Sequence, residues 1–265
     1  MMKRVLLFAA TNIAILLAIS IILSLLGIGG YRLAGGGLDY GALMVFCLLW
    51  GMVGSFISLQ ISRWMAKRMT GMQLVDGRSG HEEADWVYRT VERLAAQAQL
   101  PMPEVGIYNS PEVNAFATGP SKSRSLVAVS TGLLRGMRRE ETEAVLAHEV
   151  SHIRNGDMVT MTLIQGVVNA FVMFASIVVA NIVRQMIQGN RDERGGGGGG
   201  YMIEFMVRMV LQVAFGFLGM FVVGWFSRYR EFRADAGAAS LSGRQGMIAA
   251  LRRLQGTQAL VDNRE

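Results

Sequence analysis

Two histidines spaced four residues apart suggest a metal site. Positions 148–152 spell His-Glu-Val-Ser-His, within residues 140–154, a stretch that begins with acidic side chains and lacks proline. This pattern predicts a helix, on which the imidazoles of His148 and His152 lie on one face and can reach one ion. Zinc favours neutral imidazole nitrogens, and its catalytic sites keep one position for water. Glu149, rotated by about 100° on the helix, is predicted to be the general base that takes a proton from this water during peptide hydrolysis.

The five-residue pattern also occurs on ordinary surface helices, where both histidines are solvated. The surrounding sequence favours the metal site. The chain contains three histidines, and this pair uses two of them. The flanking side chains are apolar, as a buried metal-binding helix requires; they are Val145, Leu146, Val150 and Ile153. We therefore predict one zinc ion per chain.

A zinc site of this kind needs a third protein ligand. Cys47, the single cysteine, lies in an apolar segment, and His81 is followed by two glutamates, which is typical of a solvated linker. A carboxylate is therefore expected. Glu231 and Asp235 lie four residues apart, so one can bind the ion while the other accepts a hydrogen bond from a ligating imidazole. The same arginine-rich segment also fits a surface helix in which Glu231 pairs with arginine.

Three segments together resemble a known family. Residues 148–157 (His-Glu-Val-Ser-His-Ile-Arg-Asn-Gly-Asp), 227–235 (Ser-Arg-Tyr-Arg-Glu-Phe-Arg-Ala-Asp) and 114–119 (Asn-Ala-Phe-Ala-Thr-Gly) are similar to the HtpX family of membrane zinc metalloproteases. These enzymes are gluzincins, related to the prenyl-protein endopeptidases. The resemblance runs from the first apolar segments to about Leu254. Family members usually continue into a further helix preceded by His-Pro-Pro, which has no counterpart in this sequence.

The resemblance implies a role for each of these segments. It implies that Glu231 is the third zinc ligand and that Asp235 supports a ligand without binding the metal. It also implies an edge strand that binds substrate along the cleft, formed by Asn114, Ala115, Phe116 and Ala117. The implied activity is cleavage of peptide bonds in membrane or misfolded proteins, as part of quality control at the bacterial inner membrane.

Four uncharged segments divide the chain. Val5–Leu26 and Tyr40–Ile61 are each long enough to cross a bilayer as a helix, and the first is too long for the core of a signal peptide. Met158–Val183 and Met209–Phe226 form a second pair, which we interpret as spanning; a buried or re-entrant pair is the alternative. Six consecutive glycines, Gly195–Gly200, lie between them and predict a flexible loop.

The remaining sequence predicts an α+β fold, a small zincin (gluzincin-like) metalloprotease domain with four membrane helices in two hairpins. An amphipathic helix is expected at Ala84–Gln99, with one apolar face formed by Val87, Val91, Leu94 and Ala98. Strands are expected at Val105–Tyr108, Val113–Thr118 and Ser125–Ser130, and further helices at Ser227–Ser240 and Arg244–Leu254. The predicted divisions are 1–69 and 158–226 for the hairpins, and 70–157 and 227–265 for the two parts of the protease domain.

Composition narrows the possible partners. The chain is 51% hydrophobic and 17% charged, with a net charge of +6. Its basic residues cluster beside the apolar segments, which favours a membrane with anionic lipid over nucleic acid and places the ends of the first hairpin, with the active site, in the cytoplasm. A metal transporter is disfavoured because no acidic residue or histidine lies within the apolar segments. A prenyl-protein-type protease and an inactive zinc-binding scaffold remain as alternatives.

The metal predicts the membrane topology. One ion about 2 Å from its ligands requires His148 and Glu231 to lie on the same side of the membrane, so the segment between them crosses an even number of times. With two crossings, and in a Cys47→Ser background, an impermeant thiol reagent added to intact cells should label Gly198→Cys but not Ser240→Cys. Protection of both positions would indicate a re-entrant pair, and labelling at 240 would place the active site outside the cytoplasm.

Overall fold

The computed structural model describes residues 38–188 and 199–262. The predicted membrane segment Val5–Leu26 lies outside them, as does most of the glycine run. The helices are α1 (Tyr40–Thr70), α2 (Glu82–Gln97), α3 (Thr131–Gly136), α4 (Arg139–Asn155), α5 (Asp157–Gln188), α6 (Gly199–Ser242) and α7 (Arg244–Asp262). The strands are β1 (Gln73–Val75), β2 (Glu104–Tyr108), β3 (Ala115–Ser121) and β4 (Arg124–Ser130). This order of elements confirms the α+β prediction.

The described residues form two compact units. One is helical and contains the described residues through Ile57 together with Met161–Phe226; the other contains Ser58–Thr160 and the described residues from Ser227 onward. Three helices are long and apolar enough to cross a membrane. The fourth predicted span is the one that lies outside the described residues.

Close packing and one buried ion pair hold the helical unit together. A Cβ at Gly51 of α1 would lie 2.5 Å from the carbonyl oxygen of Gly166 in α5, so glycine allows these two backbones to touch. Arg184 of α5 and Glu204 of α6 are both buried, and their Nε and Oε2 atoms lie 3.2 Å apart. The pair neutralises two charges that an apolar environment would otherwise penalise.

Helix α6 is continuous across residue 226, where the predicted apolar segment ends and where the two compact units are divided. The sequence separates an apolar segment ending at Phe226 from a polar helix beginning at Ser227, whereas the structure has one continuous helix over both. The helix does not end at Phe226 because no proline follows it and because helix formation does not require an apolar face.

The four strands form one mixed sheet in the order β1-β2-β4-β3. Strands β2 and β4 are parallel, and β1 and β3 each pair antiparallel with their neighbours. In the sheet as described, β3 is an edge strand. Three strands match the predicted ones to within three residues at each end, while β1, only three residues long, was not predicted.

Helices α2 and α4 pack against the sheet, and the three together enclose one hydrophobic core. The predicted apolar face of α2 is buried, with Val87, Val91 and Leu94 fully inaccessible. Val150 and Ile153 of α4 are equally inaccessible and belong to the same cluster. Burying each of these side chains contributes roughly 1.5–3 kcal/mol, so the helix that carries the histidine pair is fixed by its apolar face.

The basic end of α1 contacts the sheet. Lys67 Nζ lies 2.5 Å from Glu104 Oε2, and Arg63 lies 3.6 Å from the other oxygen of this carboxylate. These side chains, interpreted from sequence as lipid-facing, therefore also pair with β2. Each pair is partly exposed, so its contribution to stability is small.

Gly237 allows α6 to approach α4. A Cβ at this position would lie 2.6 Å from Oγ and 2.8 Å from Cβ of Ser151, a fully buried residue. We expect Gly237→Ala to separate the helices, to lower stability by about 1–3 kcal/mol and to weaken zinc binding. Thermal unfolding in detergent and zinc competition with a chelator measure the two effects.

Gly224→Ala is the matched control, since it lies in the same helix and a Cβ there would meet nothing within 4 Å. Alanine is the better helix former, so this variant should keep its zinc affinity and unfold no earlier than the wild type. Equal zinc affinities for the two variants would contradict the proposed close contact.

Candidate metal centre

Helices α4 and α6 bring three possible ligands together. His148 and His152 lie one turn apart on α4, with their Nε2 atoms 3.0 Å apart. Glu231 of α6 places Oε2 at 3.2 Å from Nε2 of His148 and 3.4 Å from Nε2 of His152. These atoms all lie within 4.8 Å of one another, a spacing that allows all three to hold one metal ion.

The opposite nitrogen of each imidazole contacts a carboxylate. Nδ1 of His152 lies 2.7 Å from Oδ2 of the buried Asp157. Nδ1 of His148 lies 2.9 Å from Oδ1 of Asp235, at an angle outside that of a good hydrogen bond. A carboxylate accepts hydrogen bonds, so Asp157 favours the tautomer of His152 that carries its proton on Nδ1, which is the form that can bind an ion through Nε2.

The three facing atoms fit a cation. Two imidazole nitrogens and one carboxylate oxygen face one another at 3.0–3.4 Å, an arrangement that a cation bound between them would stabilise. Tetrahedral zinc with ligand distances of about 2.0–2.1 Å would separate its ligands by about 3.3 Å. The donor set, two imidazoles and one carboxylate, is also one that zinc uses at catalytic sites.

Asp157 was not identified as a functional residue from sequence. It begins α5 immediately after Gly156, whose φ of 71° is left-handed and which ends α4. Glycine tolerates this conformation, and the resulting turn directs Asp157 back onto His152. In the sequence, the only sign of this contact is a glycine followed by an aspartate directly after the histidine helix. That pair does not by itself predict that the aspartate contacts His152, because the contact depends on the left-handed turn.

Arg230 holds the second oxygen of Glu231. Its Nε lies 3.2 Å from Oε1, the oxygen that does not face the imidazoles. The two carboxylate oxygens thus have different partners, a guanidinium on one side and the histidine pair on the other. This division orients Glu231 to offer one oxygen to an ion.

Glu149 lies beside the imidazole pair and is half-buried. Burial raises the pKa of its carboxyl to about 7, although His148 and a hydrogen bond from the backbone N–H of Ala117 act in the opposite direction. Since β3 contains Ala117, the carboxylate is held at the edge of the sheet. It lies next to the three possible ligands without being one of them, which is the position expected of a base.

The predicted substrate-binding residues lie at the beginning of β3. Ala115, Phe116 and Ala117 belong to the strand, whereas the exposed Asn114 precedes it. Asn114 exchanges hydrogen bonds with Ser130, through its N–H to Oγ and its carbonyl oxygen from the backbone N–H. The structure thus brings this segment next to Glu149, and its role in binding substrate stays a prediction.

Comparison with known proteins gives a consistent family match. Peptidase family M48 matches residues 81–260, which include every side chain of this site. A protease HtpX homolog of Verminephrobacter eiseniae is 55% identical over 97% of this chain and 86% of its own length. Protease HtpX of Idiomarina loihiensis is 53% identical over 96% of this chain and 85% of its own.

A solved structure shares the fold. The crystal structure of S. mikatae Ste24p aligns with a TM-score of 0.64, covering 96% of this chain and 57% of that one. At 20% sequence identity this likeness concerns the fold alone.

The geometry predicts how each side chain affects metal content. Wild-type protein should contain one zinc per chain by elemental analysis, and His148→Ala, His152→Ala or Glu231→Ala should contain none, because each loses a ligand. Asp235→Asn and Asp157→Asn retain all three ligands but disturb imidazole orientation, so they should weaken affinity by about 10–100-fold.

His81→Ala is the matched control, since this histidine is exposed and lies before α2; it should retain one zinc. If Asp235→Ala removed the metal and Glu231→Ala kept it, the two carboxylates would have exchanged the roles assigned here.

Proposed function

This chain belongs to peptidase family M48, with HtpX proteases as its relatives, and we propose that this membrane-bound metallopeptidase uses zinc held by His148, His152 and Glu231. The family match confirms the resemblance predicted from the three sequence segments. The observation that carries the proposal is the convergence of three electron-pair donors at 3.0–3.4 Å. A divalent cation stabilises such a group of electron-pair donors, and two imidazoles with one carboxylate are a ligand set that zinc uses at catalytic sites.

Glu149 acts as the proton carrier in this proposal. Zinc, when bound, lowers the pKa of a water and polarises the carbonyl of the scissile peptide. Glu149 accepts the proton that this water loses as its oxygen attacks the carbonyl carbon. When the C–N bond breaks, Glu149 passes the proton to the departing amine, so that the carboxylate is restored. The N–H of Ala117 orients the carboxylate through this cycle.

The free edge of β3 supplies a place for an extended substrate. The backbone of Asn114 is bonded to Ser130, and Phe116 pairs with Ala128, so these groups face β4. The N–H of Ala117 faces the other way, toward Glu149, and Ala115 shares its direction because alternate residues of a strand do. A polypeptide that adds to this edge is held by backbone hydrogen bonds, irrespective of sequence.

This mode of recognition favours unfolded segments as substrates. A folded protein does not present a free extended segment, so we propose that the enzyme cleaves misfolded or membrane proteins as they unfold. The basic ends of the apolar segments support a location in the bacterial inner membrane with the active site in the cytoplasm. The partners that we propose for this protein are therefore zinc, the membrane and protein substrates.

The role of Glu149 is tested by one isosteric substitution. Glu149→Gln retains all three ligands but cannot accept a proton, so zinc content should be unchanged while cleavage of unfolded casein slows by about 100-fold or more. Elemental analysis and a fluorescent casein assay on the detergent-purified protein measure the two quantities.

Glu143→Gln is the matched control on the same helix. Glu143 pairs with Arg93 at the surface, so its loss should change stability by less than about 1 kcal/mol and leave the rate as it was. Full activity in Glu149→Gln would exclude Glu149 as the base, and zinc-loaded wild-type protein without activity would indicate an inactive scaffold.

A further inference from the structure

A cavity of about 160 Å³ lies where the first turns of α2 and α4 meet the end of α3. Helix α2 contributes Glu82, Glu83 and Trp86 to its lining, and α4 contributes Arg139 and Thr142. These residues belong to the compact unit that contains the metal centre. Neither the proposed zinc ligands nor the proposed base is among the described lining residues, so the cavity is separate from the site described above.

Part of the cavity is apolar. Leu134 of α3 and Met137, which directly follows that helix, line it together with the partly buried ring of Trp86. All three belong to the hydrophobic core or pack against it. Such a surface accepts the methylene groups of a long side chain, and the face of a tryptophan ring attracts cations.

Arg139 already places a cation at this ring. Its guanidinium carbon lies 5.5 Å from the centre of the Trp86 ring, within the distance at which such a contact is attractive. The same guanidinium lies 2.6 Å from a carboxylate oxygen of Glu82. The Arg139 side chain is 61% exposed, so most of it lies at the rim and does not fill the cavity.

The carboxylates of this lining outnumber its cations. Glu82 is paired with Arg139, whereas the exposed Glu83 has no ion pair among the described residues. Asp85, the remaining acid of the first turn of α2, accepts two hydrogen bonds from Ser79. Two carboxylates and one guanidinium therefore give the lining one net negative charge, which favours a further cation and disfavours an anion.

Thr142 adds a polar group that lacks a partner. The residue is 2% exposed and lines the cavity. Its backbone N–H is bonded to the carbonyl oxygen of Arg138, but its hydroxyl takes part in no hydrogen bond among the described residues. Buried hydroxyls normally have a partner, so a ligand that brings a donor into the cavity would satisfy this one.

These features together match the side chain of lysine or arginine. A cavity of about 150 Å³ holds benzene, so a group of about six heavy atoms fits here, whereas a nucleotide does not. The apolar stem of a basic side chain packs against Trp86, while its cationic end pairs with Glu83 and donates a hydrogen bond to Thr142. A wholly apolar side chain would leave the carboxylate and the hydroxyl without partners.

Protein substrates at a membrane present such side chains. Membrane proteins concentrate lysine and arginine in the cytoplasmic segments beside their spans, which is the side of the membrane proposed for the metal centre. Thr142 and His148 lie six residues apart on α4, about 9 Å along its axis. One substrate chain can therefore reach both the cavity and the metal centre.

We propose that the cavity between α2, α3 and α4 is an exosite that binds a lysine or arginine side chain of a protein substrate, at a distance from the bond that is cut. The proposal rests on the peptidase function proposed above. It names the class of substrate for that function, which is a polypeptide with basic side chains near the cleaved segment. Glu83 and Thr142 are the residues that recognise the basic group.

Matched peptides test the effect on cleavage. The core is a casein segment that the zinc-loaded protein cleaves, made as a quenched fluorescent peptide. A glycine–serine linker of about 4, 8 or 12 residues extends it at either end and terminates in lysine or in glutamine. At the best linker length the lysine peptide should have a kcat/KM about 5–10-fold higher, through a lower KM at unchanged kcat.

Variants of the lining test the assignment of the exosite. Glu83→Gln and Thr142→Val should each reduce the ratio of kcat/KM for the lysine over the glutamine peptide to about 2-fold or less. Glu83→Lys should reverse the preference toward a peptide that ends in glutamate, an effect that a purely structural role would not produce. Glu92→Gln is the matched control and should keep the wild-type ratio, because it removes the same charge from the exposed surface of α2 outside the cavity.

A chemical cross-link tests the location without cleavage. A carbodiimide joins a lysine amine to a carboxylate that it contacts, and zinc-loaded Glu149→Gln protein keeps the lysine peptide intact. The cross-link should appear in the tryptic fragment 79–89, at Glu83 or at its neighbour Glu82. Fragment 90–93, which contains Glu92, should carry none.

The other outcomes overturn the proposal in distinguishable ways. Equal rates for the lysine and glutamine peptides at every linker length would overturn the exosite while the peptidase function stands, as would a lysine preference that the Glu83 variants leave unchanged. Cross-links spread evenly over the surface carboxylates would overturn its location. If zinc-loaded wild-type protein cleaves neither casein nor the peptides, both this proposal and the function on which it rests are wrong.

Discussion

The separation between α4 and α6 is the constraint on which this structure depends. Nε2 of His148, Nε2 of His152 and Oε2 of Glu231 face one another at 3.0–3.4 Å, and a displacement of either helix by an ångström would take one donor out of reach of a shared ion. Small residues set this distance. Ala234 and Ala238 of α6 are fully buried, and Gly237 has no space for a Cβ against α4.

Carboxylates from different elements orient the two imidazoles within this contact. Asp157 reaches His152 from the first turn of α5, and Asp235 reaches His148 from α6, one turn beyond Glu231. Asp157 therefore favours one tautomer of His152, whereas Asp235 places a negative charge beside the ring of His148. In a poorly hydrated interior such contacts are strong when complete and costly when one member is missing, which couples the metal site to the packing of three helices.

Two surfaces meet at Glu149. One is the edge of β3, the kind of strand edge to which an extended polypeptide can add, and the other is a cavity lined in part by α7. Glu149 lies between them, hydrogen-bonded to Ala117 and lining the cavity.

The sequence alone determined those features that follow from local periodicity. The histidine pair, the apolar face of α2 and the three longer strands are each encoded within a few residues, because helix and strand repeats place side chains without reference to the rest of the chain. Tertiary structure distinguishes Glu231 from Asp235: spacing puts both on one face of α6, and only packing brings Glu231 Oε2 to the Nε2 atoms and Asp235 to Nδ1. It also brings Asp157 to His152 through a left-handed turn, and it packs α7 against α4, a helix about 100 residues earlier in the chain. Contacts between distant segments depend on how whole surfaces fit together, and no local pattern records that fit.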